Sequence, residues 1–125
     1  MNRILSIIAI AVGISIASIG AWAAEETYPD PITAAPNIYK KLFENERVRV
    51  SEIKFNPGDK APMHTHTEDH FIYVLEDGTL ELTHPDGSSQ TVAAKAGEVL
   101  WLAAETHEAL NTGSTVMRAI VAELK

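Results

Sequence analysis

The chain contains no cysteine. That excludes a disulfide framework, thiolate metal sites and a cysteine nucleophile together. It is also short of positive charge: 10 Lys and Arg face 17 Asp and Glu, a net charge of -7 over 125 residues. Nucleic-acid binding selects for basic surfaces, so a nucleic-acid partner is excluded on charge. The length allows one domain. No segment after residue 23 sustains a helical periodicity, and no internal repeat is visible, which leaves an all-β chain as the expectation. Apolar residues make up 46%, normal for a globular protein rather than a disordered acidic tail.

Much of that apolar content lies at the start. Met1 to Arg3 gives a short positive start, and Ile4 to Ala21 follows without a charge. Ala21-Trp22-Ala23 then places small residues where a signal peptidase reads, ahead of Ala24 and the acidic Glu25-Glu26. This is the layout of a secretory signal peptide over residues 1–23. The run is also long enough to be a marginal membrane anchor. The small-x-small ending and acidic flank favour cleavage. A single Arg rather than a pair points to Sec-type export. The expected product is small, acidic and periplasmic, with no stable membrane insertion after cleavage. It lacks disulfides in a compartment that permits them, so burial, a metal or a second subunit must stabilise it.

Residues 24–36 hold Pro29, Pro31 and Pro36 and read as an extended leader with little regular structure. From residue 37 to 125 the pattern is strand-like. Ile38 to Phe43 is a weak first strand. Arg47-Val48-Arg49-Val50 alternates clearly, but the apolar phase slips at Ser51-Glu52 before Ile53 and Phe55, which predicts a bulge or break there. Asn56-Pro57-Gly58-Asp59 is a turn signal. Phe71 to Glu76 is a β run, and Asp77-Gly78 predicts a hairpin into Leu80 and Leu82. Pro85-Asp86-Gly87-Ser88 predicts another turn. Short strands follow at Gln90 to Ala93, Val99 to Leu102 and Val116 to Leu124. Short strands separated by frequent turns imply a sandwich or barrel.

Four of the five histidines form a pattern: His64, His66 and His70 within seven residues, then His107 downstream. On an extended segment His64 and His66 share a face. His70 opens a strand with Ile72 and Val74 on its side, and His107 has Ala109 and Asn111 on its own. If these sides face one interior, the imidazoles converge, and clusters of neutral imidazole are typical transition-metal sites. His84 abuts the Pro85-Asp86-Gly87 turn and reads as a surface turn residue.

These spacings resemble a known family. Gly58-x5-His64-x-His66-x3-His70-x6-Asp77-Gly78 is similar to the first motif of the cupins, and Gly97-x9-His107-x3-Asn111 to the second. In the second, Ala103 and Glu105 occupy the region where the family usually carries Pro and Gly, and the spacing to His107 is one residue short of the commonest form. The resemblance runs from Arg47 to Leu124. More narrowly, Asn45 to Val50, Tyr73-Val74-Leu75 and Gly97 to Trp101 resemble small single-domain cupins loosely called β-alanine degradation proteins. The resemblance implies an all-β, double-stranded β-helix or jelly-roll barrel holding one divalent transition metal. His64, His66 and His107 fall on the family's three histidine ligands, and His70 stands where many cupins place a glutamate ligand.

Four imidazoles would saturate a tetrahedral ion such as zinc and leave two positions open on an octahedral one. Iron, manganese, nickel, copper and zinc all remain candidates. The aliphatic side chains sharing the histidine face imply a small, largely apolar or chelating ligand, handled by an oxygenase or isomerase, or else by a non-catalytic periplasmic binding or sensing module. Clear acid–base residues are scarce. Glu105 is the weak catalytic candidate, able to swing over the metal mouth from its loop. Glu68 and Asp69 read as solvent-facing or as partners of an imidazole N–H. The outward positions Phe71, Tyr73 and Leu75 need cover, and the family resemblance implies a homodimer.

Overall fold

The computed structural model describes residues 24–125; the expected signal peptide, residues 1–23, lies outside the described residues. Among the described residues one short helix, α1 (Pro31–Ala34), precedes nine strands. They are β1 (Tyr39–Glu44), β2 (Val48–Phe55), β3 (Lys60–His66), β4 (His70–Glu76), β5 (Gly78–Thr83), β6 (Ser89–Ala94), β7 (Val99–Leu102), β8 (Glu105–Asn111) and β9 (Met117–Leu124). No helix among these residues is long and apolar enough to cross a membrane.

The strands form two antiparallel sheets, ordered β1-β2-β9-β4-β7 and β3-β8-β5-β6. Period-two alternation sends one face of each sheet inward. Ile53, Phe55, Val74, Met117, Ala119 and Val121 come from the first sheet; Ala61, Leu80, Leu82 and Ala109 come from the second. This is the all-β sandwich or barrel that the turn spacing implies, in the jelly-roll form that the cupin resemblance implies.

Three local expectations are corrected. The leader is not wholly extended. Asp30 caps α1, its carboxylate accepting hydrogen bonds from the backbone N–H groups of Ile32 and Thr33, and Pro31 sits in the first turn where its missing N–H costs nothing. Pro31 and Ala35 are buried.

The bulge falls in β1 rather than at Ser51-Glu52. The β1–β2 register shifts between Lys41 and Phe43, whereas β2 pairs with β9 without interruption. Ser51 is buried on the inward face of β2, on the phase of Arg49, Ile53 and Phe55. Two polar residues on the inward phase imitate a slip in the apolar pattern.

Asp77-Gly78 is not a hairpin. β4 and β5 belong to different sheets, so the dipeptide crosses between them. Its glycine serves close approach instead of turn geometry: a Cβ on Gly78 would lie 2.4 Å from the Met117 Cβ. The turn at Pro85-Asp86-Gly87-Ser88 does join a hairpin, β5 to β6, with Gly87 at φ 84.

Candidate metal centre

The four motif histidines lie on three strands, β3, β4 and β8, and all are almost fully buried. His64 and His66 share the inward face of β3, as their spacing requires. His64 is paired across the ladder with His107 of β8. Ring centroids are 4.9 Å apart for His64 and His66, 4.8 Å for His64 and His107, and 5.2 Å for His66 and His107. One ligand nitrogen from each of these three lies within 4.8 Å of the others.

Every ring is anchored through Nδ1. His64 Nδ1–H donates to the Pro62 carbonyl at 2.7 Å, and His70 Nδ1–H to the Glu68 carbonyl at 3.1 Å. Carbonyls only accept, which fixes these tautomers. His66 Nδ1 faces Glu123 Oε1 at 3.2 Å, and His107 Nδ1 faces Glu105 Oε1 at 3.0 Å. A carboxylate or carbonyl on one ring nitrogen directs the other toward a metal.

The donor set fits a metal ion. With their protons on Nδ1, the Nε2 lone pairs of His64 and His66 face each other at 3.1 Å. Two nitrogens each about 2.1 Å from one ion, at tetrahedral or octahedral angles, stand about 3.0–3.4 Å apart. A proton or a metal between them relieves the opposition of lone pairs. Three of the rings are also held neutral, as ligation requires. Burial pushes the His64 imidazole down to about 4. Burial, then the neighbouring imidazoles, pushes His107 down to about 2. His70 is lowered in the same way, by burial and then by His66.

His70 is placed differently. Its ring stacks on His66, with centroids 4.2 Å apart and planes 20° apart. A ligated metal lies in the plane of each imidazole, and nearly parallel stacked planes do not meet at bonding distance. His70 reaches an ion shared with His66 only if its ring tilts. Glu105 accepts from the Nδ1 side of His107, away from the ligand nitrogens, so it orients that ring instead of reaching over the mouth. Glu68 acts through its backbone carbonyl, and Asp69 accepts from the Ala104 N–H at 3.0 Å. His84 is half-buried rather than a surface turn residue; its Nδ1–H donates to the Thr106 carbonyl, and its ring centroid is 6.4 Å from that of His107.

Glu123 is a site residue that the motif spacing does not reveal. It is buried, and in β9 it pairs with Arg49 of β2 on one side and His70 of β4 on the other. Arg49 Nε donates to Glu123 Oε2 at 2.5 Å and Nη2 donates to Oε1 at 3.1 Å, a two-pronged clamp. Burial alone would raise the Glu123 carboxyl, but the hydrogen bonds from His66 and Arg49 outweigh it and bring it to about 2. The available signal was strand phase: Arg49 and Glu123 occupy inward positions in strands whose other inward residues are mostly apolar.

Beside the histidines lies a cavity of about 40 Å³, walled mainly by Ile72, Leu80, Leu82, Leu100, Met117 and Val121. His66, His70, His107 and Tyr39 are its polar lining. Tyr39 packs edge-on to His64 at 5.8 Å. Burial, then the Glu123 charge, raises its hydroxyl pKa, so it stays a neutral phenol. At the far end of β8, Asn111 is buried and fully used: its amide donates to the Phe55 and Thr115 carbonyls and its oxygen accepts from the Gly113 N–H.

A two-sheet antiparallel jelly roll with inward histidines on adjacent strands defines a small β-barrel protein with a His-triad site that could hold a metal. Comparison with known proteins gives the family. The Cupin domain matches residues 51–123, and the chain belongs to the cupin family. It is 28% identical over 82 residues to the β-alanine degradation protein BauB of Pseudomonas aeruginosa, covering 66% of this chain and 86% of that protein. A cupin domain from Bordetella pertussis Tohama I superposes with a TM-score of 0.65 at 26% identity, covering 81% of this chain and 99% of that one. The polyketide cyclase RemF of Streptomyces resistomycificus superposes with a TM-score of 0.53 at 28% identity, covering 69% of this chain and 63% of that one.

Proposed function

We propose that the chain is an exported single-domain cupin holding one divalent transition metal inside its barrel and acting on a small, largely apolar molecule as an oxygenase or isomerase. The observation that carries this reading is the apolar cavity opening directly onto the histidine cluster. Such a metal, when bound, supplies Lewis acidity or, for iron, dioxygen chemistry. The protein's part is to hold the His64, His70 and His107 imidazoles neutral, to fix the rings' orientation through Nδ1, and to exclude water with an aliphatic wall. Tyr39 is the one non-histidine polar side chain lining the cavity among the described residues, and it offers an O–H toward a bound molecule.

His70 is the proposed fourth ligand. Its Nδ1 anchor on the Glu68 carbonyl leaves Nε2 unprotonated, and the ring lines the same cavity. The alternative is a non-catalytic periplasmic metal- or small-ligand-binding module. The scarcity of acid–base groups in the cavity favours it.

Elemental analysis of protein purified from the periplasm, with electronic spectra recorded with and without dioxygen, separates the two. A stoichiometric redox-active metal whose spectrum responds to dioxygen supports the oxygenase reading. Tightly held zinc with no exchangeable water overturns catalysis and leaves the binding module. Absence of any metal overturns every metal-dependent reading and leaves only a small-ligand-binding module.

We also infer that a second copy of the chain covers the outer face of the five-stranded sheet. One apolar residue from each strand lies in register across that face: Phe43, Val50, Ala122, Phe71 and Trp101. Ile120, Tyr73 and Val99 form a parallel row beside it. At about 4.8 Å per strand and about 7 Å per row, these eight positions cover about 270 Å² in plan before side-chain relief is counted. That is about a third of one side of a standard interface, about 800 Å² of accessible surface, so the two rows form its apolar centre.

A further inference from the structure

The metal reading leaves a second feature unexplained: the N-terminal segment is wired to the histidine cluster. The Thr65 N–H, between His64 and His66, donates to the Pro29 carbonyl at 2.9 Å. The next residue, Asp30, caps α1 and also accepts from Arg49 Nη1 at 3.4 Å. Arg49 clamps Glu123, and Glu123 accepts from His66 Nδ1. A continuous polar chain thus runs from His66 through Glu123 and Arg49 to Asp30. Pro31, Ala35, Ile38 and Tyr39 are buried behind it, and Tyr39 packs against both His64 and His66.

We propose that residues 29–35 form a strap that sets the metal affinity of the site, with Glu123 and Asp30 as positioning residues acting through His66. This rests on the metal-binding reading above. The direction follows from charge. Glu123 makes His66 a better ligand by accepting a hydrogen bond from its Nδ1–H. Arg49 withdraws negative charge from Glu123, and Asp30 draws part of the Arg49 charge away. Neutralising Asp30 therefore hands Arg49 wholly to Glu123 and weakens the carboxylate's hold on His66. Coupling is reciprocal, so metal binding must also tighten the strap.

The test uses zinc and a competing chelator, with hydrogen exchange read over the strap. Asp30→Asn is chosen because Asn caps a helix as well as Asp does, so the substitution removes the charge and keeps α1. Asp30→Asn is expected to lower zinc affinity about threefold to tenfold, and Glu123→Gln about 10–100-fold. Asp30→Glu is expected to recover most of the loss. In the unsubstituted protein, zinc is expected to slow exchange at the Ile32, Thr33 and Thr65 amides. Unchanged affinity in Asp30→Asn, or strap exchange indifferent to zinc, overturns the coupling while leaving the metal site standing. Failure of the unsubstituted protein to bind zinc or any other divalent transition metal overturns the metal reading and this inference with it.

Discussion

His64 and His107 are direct cross-strand partners in the β3–β8 ladder, with ring centroids 4.8 Å apart. Their meeting is set by the register of two strands within one sheet, so it does not depend on how a loop settles. The Thr65 and Thr106 hydroxyls, hydrogen-bonded at 2.8 Å, support that register one residue along each strand. Replacing either histidine takes one imidazole from the triad that could hold a metal and leaves the backbone hydrogen bonds of the ladder in place.

His107→Ala is therefore expected to lose divalent-metal affinity by more than the 10–100-fold typical of an outer-sphere change. The fold should survive, because the buried imidazoles crowd one another when no metal joins them. Metal content after dialysis against a weak chelator, with a melting curve of the metal-free protein, checks both halves. Full metal retention would remove His107 from the site.

Acid should destabilise the metal-free protein in a defined window. His64 and His107 are held below the ordinary imidazole value, near 4 and 2 respectively, by burial. The unfolded chain then binds more protons than the folded one between those values and about 6.5. Stability is complete above about 6.5 and falls as pH drops, by up to about 1.4 kcal/mol per pH unit for each histidine. Glu123, brought to about 2 chiefly by His66 and Arg49 against the opposing effect of burial, adds a loss of the same sign below the ordinary carboxylate range. Denaturant midpoints from pH 8 to pH 4.5 should decline across the imidazole range. A flat profile would contradict neutral burial of these rings.

The histidine cluster was legible in the sequence because two periodicities coincided. The two-residue spacing of His64 and His66 puts them on one face of a strand, and Ile72 and Ala109 mark which faces of β4 and β8 turn inward. Glu123 was not legible, since a carboxylate at the end of an apolar strand ordinarily marks the return to solvent. Only the β2–β9 register shows that it meets Arg49 inside the barrel. Asp77-Gly78 misled for a related reason. Local turn chemistry is the same whether the chain folds back on its own sheet or crosses to the other, and long-range pairing decides between them.

Gly78 supplies a third expectation. Because its missing Cβ leaves room for the Met117 side chain, with the Met117 Cα only 3.3 Å from where that Cβ would stand, the neighbour cannot swing clear. Gly78→Ala is expected to cost about 1–3 kcal/mol through overpacking. Gly87→Ala meets no atom within 4 Å, and only its positive φ opposes the change. Its cost should be nearer 1 kcal/mol. Equilibrium denaturation of the two variants ranks them. Equal costs would mean that Met117 accommodates the added Cβ without overpacking.

The outer face of the five-stranded sheet yields the last. An antiparallel sheet with one face in water ordinarily turns polar residues outward. Here Phe43, Trp101 and Val99 are 53%, 58% and 63% exposed in the single chain. The cross-strand row from Phe43 to Trp101 spans four strand spacings, about 19 Å, without a charged side chain. Charged residues such as Glu52, Glu76 and Arg118 lie to one side of that row and pair with one another, as the rim of an interface does. A two-fold dimer is the simplest closure for one such patch, since each copy presents the same surface to the other. The protein is expected to run as a dimer at micromolar concentration by light scattering, with Trp101 shielded from aqueous quenchers. Trp101→Glu places a charge in the apolar row at its β7 end and should give a folded monomer. A monomeric unsubstituted protein, or a Trp101→Glu dimer as tight as the original, would mean that this face is not where two copies meet.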